Sequence, residues 1–380
     1  MESSNQSQSI TPRLTGHRPV HGGVKPAELR ALGLRPEEVL DFSASVSPLG
    51  PPAGLWDALH GVDLAAYPDP QCLAFREALS QHLSAQLPNG GLIAPERILV
   101  GNGSTEIIHL LARAFLPASG GPGAASSAFL LTPTYGEYSG ACRLAGAAVS
   151  CLDGSQRPGF RWDLKEAARR ITSERPSLVF LCNPNNPTGV FLSSSEVELL
   201  ASATSHVGGL LVVDEAYLSF ADDPLGSLPL LGRYRIVLLR SMTKDYALTG
   251  LRLGYSLASE EVTERLASFQ PDWSVNSLAQ AAGMAALADT GYLPRARQAV
   301  AQAKEHLRAG LASLGFPVPP SSANFLLVRV GDGALWRERL GRRGFFVRDC
   351  ASFGLADYIR VGIRSMPDCQ RLVEAMAELA

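Results

Sequence analysis

Six short, continuously apolar runs dominate the sequence and limit the folds open to it. They are RILVG at 97–101, AFLLTP at 128–133, LVFLC at 178–182, LLVVDEA at 210–216, RIVLLRS at 235–241 and YSLAS at 255–259. Continuously apolar strands are typical of a mostly parallel sheet that is buried on both faces. Helical patterns such as TEIIHLLARAFL at 105–116 lie between the runs. The alternation predicts a doubly wound α/β domain with helices on both sides of the sheet.

The character of the sequence changes after about residue 290. A long helical pattern precedes the strand-like runs FLLVRV and YIRVGIR and a final helix. We therefore expect a large domain over residues 55–289 and a smaller α+β domain over residues 290–380. Residues 1–54 begin with a polar stretch and are then rich in loop-forming prolines. We expect them to form a tail and an arm that packs against the small domain.

Composition and charge exclude several classes of protein. The net charge of the 380 residues is −2 and no basic stripe is present, which argues against nucleic acid as a partner. The six cysteines form no CxxC pair and no zinc-type cluster with histidine, so we expect no metal site and a reduced, cytoplasmic setting. The polar N-terminus does not have the pattern of a secretory signal, and no apolar run reaches membrane-spanning length. We therefore expect no membrane association.

Polar residues that could bind a ligand follow four of the predicted strands. Ligands of open α/β sheets bind beyond the carboxyl ends of the strands. GNGSTE at 101–106 opens a helix, whose first-turn amides can hold an anion, and NPNNPTG at 183–189 forms a rigid turn that presents amide side chains. Asp214 ends a buried strand, where a carboxylate needs a cationic partner. The next strand is followed by a hydroxyl, an amine and a guanidinium, which suit a phosphate: Ser241, Lys244 and Arg252.

Each motif alone has a plainer explanation. GNGSTE can be a glycine turn with a helix cap, NPNNPTG can be an ordinary turn, and Lys244 can be a solvated surface charge. A chance coincidence of all four strand ends is improbable. Their combination therefore favours one shared site.

Four motifs follow one another along the chain, in the order GNGSTE, NPNNPTG, DEAY and SMTKDYALTGLRLGY. The chain resembles the fold-type I pyridoxal-phosphate enzymes of the aspartate aminotransferase group, from about His21 to the C-terminus. The resemblance implies pyridoxal 5'-phosphate as the cofactor and Lys244 as the catalytic residue, which forms a Schiff base with it. It implies that Asp214 pairs with the pyridinium nitrogen and keeps the ring an electron sink.

The same resemblance assigns further cofactor contacts. Asn186 and Tyr217 would hydrogen-bond the phenolate oxygen of the ring, and Tyr135 would stack on the ring face. Tyr67, in AYPDP, matches a tyrosine that reaches the phosphate of the other subunit, which implies a homodimer with shared sites. The cofactor phosphate would be held by Ser104, Thr105, Ser241 and Arg252.

Two families share all of these cofactor motifs, namely histidinol-phosphate aminotransferases and the threonine-phosphate decarboxylases of cobalamin biosynthesis. The segments HGG at 21–23, DFSASVSPLGPP at 41–52, DWSVNSLAQ at 272–280 and VRDCASFGLADYIRVGIRS at 347–365 resemble the decarboxylases. This resemblance implies a lyase that converts O-phospho-L-threonine into (R)-1-amino-2-propanol O-phosphate. The alternative is an aminotransferase for histidinol phosphate or a related amino acid. A cofactor-sensing regulator and a nicotinamide-dependent enzyme fit less well, because the tail before His21 is too short for a DNA-binding domain and GNGSTE lacks the GxGxxG spacing.

The resemblance also implies a set of substrate contacts. Arg360 would bind the α-carboxylate through a bidentate fork, Arg348 would bind the substrate phosphate, and His21 would close over it. Arg364 would assist, and Asn324 would lie near the site. Surface or inter-domain salt bridges remain an alternative for Arg348 and Arg364. A structural role remains an alternative for His21, and a turn for Asn324.

The sequence departs from the decarboxylase pattern at several positions. That family usually has asparagines at the positions of Ser45 and Ser47 and a proline at the position of Thr249. Asp245 stands where an aromatic residue is common. The Ser45 and Ser47 changes bear on the substrate more than on the cofactor.

Overall fold

A seven-stranded sheet forms the centre of the computed structural model, which describes residues 21–87, 91–116 and 126–380. The predicted polar tail falls on residues 1–20, outside the described residues. The strands, in chain order, are β1 (Leu40–Asp41), β2 (Ile98–Asn102), β3 (Ser127–Thr132), β4 (Ala148–Asp153), β5 (Leu178–Cys182), β6 (Leu210–Asp214), β7 (Ile236–Ser241), β8 (Leu253–Leu257), β9 (Phe325–Arg329), β10 (Phe345–Phe346), β11 (Arg348–Asp349) and β12 (Tyr358–Gly362).

Helices flank the sheet and continue into the C-terminal part of the chain. They are α1 (Pro26–Leu32), α2 (Leu55–His60), α3 (Leu73–Ser84), α4 (Gly103–Phe115), α5 (Gly136–Leu144), α6 (Leu164–Glu174), α7 (Ser194–His206), α8 (Met242–Asp245), α9 (Glu260–Ala267), α10 (Ser277–Ala288), α11 (Tyr292–Ser313), α12 (Gly333–Gly341) and α13 (Met366–Ala377). Within the described residues, no helix combines the length and apolar character needed to cross a membrane.

The order of the strands in the central sheet is β2-β8-β7-β6-β5-β3-β4. Six of these strands run in the same direction, whereas β8 is antiparallel to both of its neighbours, β2 and β7. The carboxyl ends of six strands therefore meet at one edge of the sheet. Because β8 is reversed, the residue just before it, Arg252, arrives at the same edge.

Alternate residues of the central strands enter two separate apolar cores. In β6, Leu211 and Val213 belong to one core, and Leu210 and Val212 belong to the other. Helix α4 covers the second core with Ile107, Ile108 and Leu111 among others. This arrangement explains the continuously apolar runs, since a strand that is covered on both faces has no solvent-facing side. The predicted α/β fold and all six predicted strands are confirmed.

Strand β4 was missed by the sequence prediction, and its position explains why. It pairs only with β3 at one end of the sheet. None of its residues is fully buried, and its sequence AVSCLD mixes polar with apolar residues. An edge strand of this kind carries no continuous apolar signal.

The C-terminal part of the chain forms its own antiparallel sheet, with the strand order β11-β12-β9. The run FFVRDC is divided between two sheets: β10 pairs with β1, whereas β11 pairs with β12. Phe42 accepts a backbone hydrogen bond of 2.7 Å from Gly362. The described part of the N-terminal arm thus contacts the C-terminal segment, although the domain boundaries at residues 54 and 289 stay a prediction.

Candidate active site

A cavity of about 630 Å³ lies at the carboxyl edge of the central sheet. Its walls come from the strand ends, from the N-terminal segment and from the C-terminal sheet. The predicted site residues that line it are His21, Ser104, Thr105, Tyr135, Asn186, Asp214, Tyr217, Ser241, Lys244, Arg252, Arg348 and Arg360. The fold thus brings together residues that are up to 339 positions apart in sequence.

Lys244 lies in the short helix α8, directly after β7. Burial, together with the nearby positive charges of Arg360 and Arg252, lowers the pKa of its amine to about 8. A neutral amine is the nucleophilic form, so this lowered pKa favours reaction with a carbonyl group at moderate pH. The Lys244 carbonyl accepts a hydrogen bond of 2.8 Å from the backbone N–H of Ser47, which ties the lysine to the N-terminal segment.

Asp214 ends β6 at the floor of the cavity and is almost completely buried. Its Oδ2 accepts a hydrogen bond of 2.8 Å from the Tyr138 hydroxyl, and its Oδ1 accepts one of 3.0 Å from the Ala216 backbone. Burial nevertheless raises the pKa of Asp214 to about 6. A cation at this position would stabilise the carboxylate, as the protonated ring nitrogen of a cofactor does.

An anion cradle forms where β2, β7 and β8 meet. Ser104 and Thr105 lie in the first turn of α4, which has no side-chain cap, so its first amides remain available to a ligand. Ser241 Oγ and Thr243 Oγ1 lie 2.7 Å apart. Gly103 has φ +73°, and a Cβ there would lie 2.7 Å from Arg252 Nη2. Hydroxyl and guanidinium donors at the end of β7, in α8 and just before β8 are Ser241, Thr243 and Arg252.

Arg348 and Arg360 both line the cavity and lie directly across from each other on β11 and β12. Both are buried, and the pKa of Arg348 is lowered by burial and by Arg360. Arg348 Nη2 donates a hydrogen bond of 2.6 Å to Ser352 Oγ. Arg360 donates to the Asn186 side-chain oxygen and, over 2.9 Å, to the Ser43 carbonyl. The cavity therefore has one cationic wall from the C-terminal sheet and one anion cradle on the central sheet.

The N-terminal segment closes the third side. Gly23 N–H donates a hydrogen bond of 2.7 Å to Ser43 Oγ, and Ser43 Oγ donates one of 2.6 Å to Asp41 Oδ1. A side chain at Gly22 would collide with the Ser43 carbonyl. His21 Nε2 lies 2.7 Å from Glu137 Oε1. Residues 21–24 are thus held against the cavity at both ends.

Three predicted site residues lie outside the cavity walls. Tyr67 is 79% exposed and stacks on Trp273, with ring centroids 4.7 Å apart. Asn324 is fully buried, and its side-chain amide has no hydrogen-bond partner in the described part of the chain. Arg364 donates to Asp368 Oδ2 over 3.2 Å and to the Asp41 carbonyl over 3.3 Å. The geometry gives no support to the predicted substrate contacts of Asn324 and Arg364.

Several cavity residues were missed by the sequence prediction. Tyr138 is one turn after Tyr135 at the start of α5, so the helical spacing of three residues could have placed both at the site. No sequence signal distinguishes Ser43 and Phe353, whereas Ser45 and Thr249, which also line the cavity, are among the positions where the sequence departs from the decarboxylase pattern.

The groups in this cavity fit pyridoxal phosphate. The buried carboxyl of Asp214 suits the protonated ring nitrogen, and the amine of Lys244, with its lowered pKa, suits the aldehyde. The anion cradle suits the phosphate. Tyr135 and Tyr217, both at the cavity wall, add an aromatic face and a phenol.

Comparison with known proteins agrees with the geometry. The family model for aminotransferase class I and II matches residues 38–376. The chain is 33% identical to the threonine-phosphate decarboxylase of Salmonella typhimurium, over 94% of this chain and 95% of that protein. It is 34% identical to the histidinol-phosphate aminotransferase of Symbiobacterium thermophilum, over 93% of each chain.

A solved structure shows the same architecture. The histidinol-phosphate aminotransferase of Sinorhizobium meliloti, in complex with pyridoxal-5'-phosphate, superposes with a TM-score of 0.80 and is 25% identical, over 94% of this chain and 96% of that one. The chain therefore belongs to the class I and II aminotransferase family, with the fold-type I architecture and pyridoxal 5'-phosphate as its cofactor.

Proposed function

We propose that the chain is a pyridoxal-phosphate lyase that decarboxylates O-phospho-L-threonine and releases (R)-1-amino-2-propanol O-phosphate for the assembly of the cobalamin nucleotide loop. The observation that carries the proposal is the direct cross-strand pairing of Arg348 with Arg360 in the cavity wall. The relationship to a threonine-phosphate decarboxylase over nearly the whole chain supports it.

Two guanidinium groups directly opposite each other repel, and burial increases the cost. Such an arrangement is favourable when anionic groups of a ligand lie between or beside the two cations. O-phospho-L-threonine carries two anionic groups, an α-carboxylate and a phosphate, on one short carbon chain. We assign the carboxylate to Arg360, which lies beside Asn186, and the phosphate to Arg348 and His21.

The roles of the chain's own residues follow from these positions. The cofactor supplies a conjugated ring that accepts the electron pair of whichever Cα bond stands perpendicular to it. Arg360 and Arg348 fix the orientation of the substrate and so select the bond to the carboxylate. After carbon dioxide has left, Lys244 Nζ or a water molecule would return a proton to Cα, in place of the broken bond.

The remaining cofactor contacts are proposed from the cavity. Asp214 pairs with the ring nitrogen, and Asn186 and Tyr217 with the phenolate oxygen, while Tyr135 covers the ring face. The phosphate is held by Ser104, Thr105, Ser241 and Arg252. We further propose a homodimer in which the exposed Tyr67 reaches the phosphate in the other subunit's site.

A second candidate is supported by the similarity to histidinol-phosphate aminotransferases. In that reaction the same cationic wall would receive the phosphate of histidinol phosphate and the carboxylates of the amino acceptor. Lys244 would then move a proton between Cα and the cofactor carbon that bears the aldehyde. The two reactions differ in whether carbon dioxide leaves and in the final form of the cofactor.

The test uses purified protein loaded with pyridoxal phosphate and given O-phospho-L-threonine without any keto acid. Sustained release of carbon dioxide, with formation of the amino-propanol phosphate, is the expected result. No release, together with conversion of the cofactor to pyridoxamine phosphate by histidinol phosphate or glutamate, would overturn the proposal in favour of the aminotransferase.

Matched variants of the two arginines test their assignment. Replacing a bidentate guanidinium by an ammonium keeps the charge and removes the fork, so each substitution should lower kcat/KM by about tenfold or more. Arg348→Lys should reduce the preference for phosphothreonine over threonine, whereas Arg360→Lys should weaken the binding of both ligands by the same factor. Equal effects of the two variants on that preference would contradict the assignment.

A further inference from the structure

A nearly buried carboxylate behind the cavity wall contacts two imidazoles at once. The Glu137 side chain is 10% exposed, and its Oε1 lies 2.7 Å from His21 Nε2. Its Oε2 lies 3.0 Å from His109 Nε2. His21 lines the cavity, whereas Glu137 and His109 lie behind it, on the helices α5 and α4. The carboxylate therefore reaches the cavity through His21.

The backbone around Glu137 is well suited to hold this charge. The residue lies in the first turn of α5, where the helix dipole stabilises a negative charge. Helix α5 packs against α4 and β3, so the carboxylate sits on regular structure. His21, in contrast, is in a loop that precedes α1. A fixed carboxylate thus anchors an imidazole carried by a less regular segment.

The contact determines how the His21 ring is presented. When Nε2 donates to a carboxylate, the tautomer and the ring orientation are set, and Nδ1 remains for another partner. The ring centroid of His21 lies 5.7 Å from that of Tyr135, which we place on the cofactor ring. The imidazole is therefore held beside the space that substrate must occupy.

A bare carboxylate beside a cavity that binds anions would oppose the binding of the ligand. Lys244, Arg252, Arg348 and Arg360 all line the cavity, which suits anionic ligands. An uncovered carboxylate at this wall would repel a phosphoryl group. With each oxygen engaged by an imidazole, Glu137 instead presents a hydrogen-bonded histidine to the ligand.

We propose that Glu137 is a positioning residue for the phosphorylated substrate, which acts by holding His21 in the orientation that contacts the phosphoryl group. The inference rests on the proposed function in one respect, that the substrate carries a phosphate. It holds for phosphothreonine and histidinol phosphate alike, so its test can be separated from the question of decarboxylation.

The test compares Glu137→Ala, Glu137→Gln, His21→Gln and the double variant Glu137→Ala/His21→Gln in cofactor-loaded protein. Dissociation constants of O-phospho-L-threonine and of L-threonine are measured by the change in visible absorption, and KM and kcat are measured where turnover occurs. Histidinol phosphate and histidinol form a second pair of ligands. His109→Gln is the matched control, because it removes the other imidazole and leaves the Glu137–His21 contact.

We expect Glu137→Ala to raise the dissociation constant of the phosphorylated ligand by about tenfold, the usual effect of losing a hydrogen bond to a charged group. KM should change more than kcat, and the unphosphorylated ligand should bind as in the wild type. The double variant should bind the phosphorylated ligand no more weakly than His21→Gln alone, because both substitutions remove the same contact. His109→Gln should change binding by less than about twofold. Should Glu137→Ala fold poorly, Glu137→Gln keeps the shape and should show a smaller loss in the same direction.

Four results would overturn the inference. Additive effects of Glu137→Ala and His21→Gln would mean that the two residues act independently. Equal losses for phosphorylated and unphosphorylated ligands, or tighter phosphate binding without the carboxylate, would point to a structural or a repulsive role. A wild-type protein that prefers neither phosphorylated ligand would also overturn it, whereas a failure to release carbon dioxide alone would count only against the proposed reaction.

Discussion

The hydroxyl of Tyr138 lies 2.8 Å from Asp214 Oδ2 and is the side-chain donor to this buried carboxylate. The phenol ring stacks on Phe180, with centroids 5.0 Å apart, and meets Tyr135 edge-on at 5.6 Å. The carboxylate that we assign to the ring nitrogen is thus oriented by a rigid aromatic group. Packing on both sides leaves the tyrosine little freedom to reorient.

Tyr138→Phe should weaken cofactor binding. The substitution keeps the ring and its packing but removes the hydrogen bond, so the Asp214 carboxylate becomes less stable in its buried site. We expect the dissociation constant of pyridoxal phosphate to rise by about tenfold, measured by titration of the cofactor-free protein. Tyr358→Phe, in the C-terminal sheet, is the control and should bind the cofactor normally. Unchanged affinity in Tyr138→Phe would show that the hydrogen bond does not support the carboxylate.

Lys244 should give the cofactor-free protein a distinctive dependence of stability on pH. Burial lowers its pKa from 10.5 to about 8. Between these two values the unfolded state binds more protons than the folded state, so the free energy of unfolding should rise with pH across this interval. Lys244→Met should abolish the rise and stabilise the protein below pH 8 by up to about 3 kcal/mol. Urea denaturation between pH 7 and 10 measures both effects.

An exposed lysine serves as the control for that experiment. Lys165, in α6, is exposed, so Lys165→Met should leave the pH dependence as it is in the wild type. If the rise persists in Lys244→Met, another group must be responsible for it.

Gly103→Ala should disturb the anion cradle. The new Cβ would lie 2.7 Å from Arg252 Nη2 at a backbone φ of +73°, so the guanidinium must move and the backbone is strained by about 1–2 kcal/mol. We expect weaker binding of pyridoxal phosphate and a lower thermal midpoint. Gly250→Ala is the matched control, because a Cβ there would meet no atom within 4 Å. Equal cofactor affinity in the two variants would argue against a phosphate at this position.

Tyr67 allows a test of the proposed shared sites. Tyr67→Ala and Lys244→Ala should each have little activity alone, since one loses a phosphate contact and the other the reactive amine. In a mixed dimer, one site combines Lys244 of the first subunit with Tyr67 of the second. Refolding the two variants together should therefore restore part of the activity. The absence of any recovery would place Tyr67 and Lys244 in the same subunit's site or remove Tyr67 from it.

The sequence predicted the sheet well where burial determines the residues. The run LVFLC coincides with β5 because both faces of that strand are covered. It gave no signal for the edge strand β4, whose residues are not fully buried. The antiparallel direction of β8 could not be predicted either, since the apolar pattern of a buried strand does not depend on the strand's direction in the sheet.

The site was predictable where a side chain follows a strand end, as with Asp214 and Lys244. Contacts that depend on tertiary packing were harder to predict: Arg364 donates to Asp368 Oδ2 and to the Asp41 carbonyl, and its predicted substrate contact stays a prediction. Glu137 was missed for the same reason, because its partners His21 and His109 are 116 and 28 positions away along the chain. Such pairs become visible only when the helices α4 and α5 are packed.

Residues 43–47 connect Arg360 and Lys244, two residues that line the cavity. The Ser43 carbonyl accepts from Arg360 and the Ser47 N–H donates to the Lys244 carbonyl. A five-residue segment of backbone thus connects Arg360, which we assign to the substrate carboxylate, with Lys244, which we assign to the proton transfer. A rotation of the C-terminal sheet that moves Arg360 would therefore also displace the backbone that is hydrogen-bonded to Lys244. In the proposed mechanism, substrate recognition and the position of the reactive amine are therefore coupled through the backbone of residues 43–47.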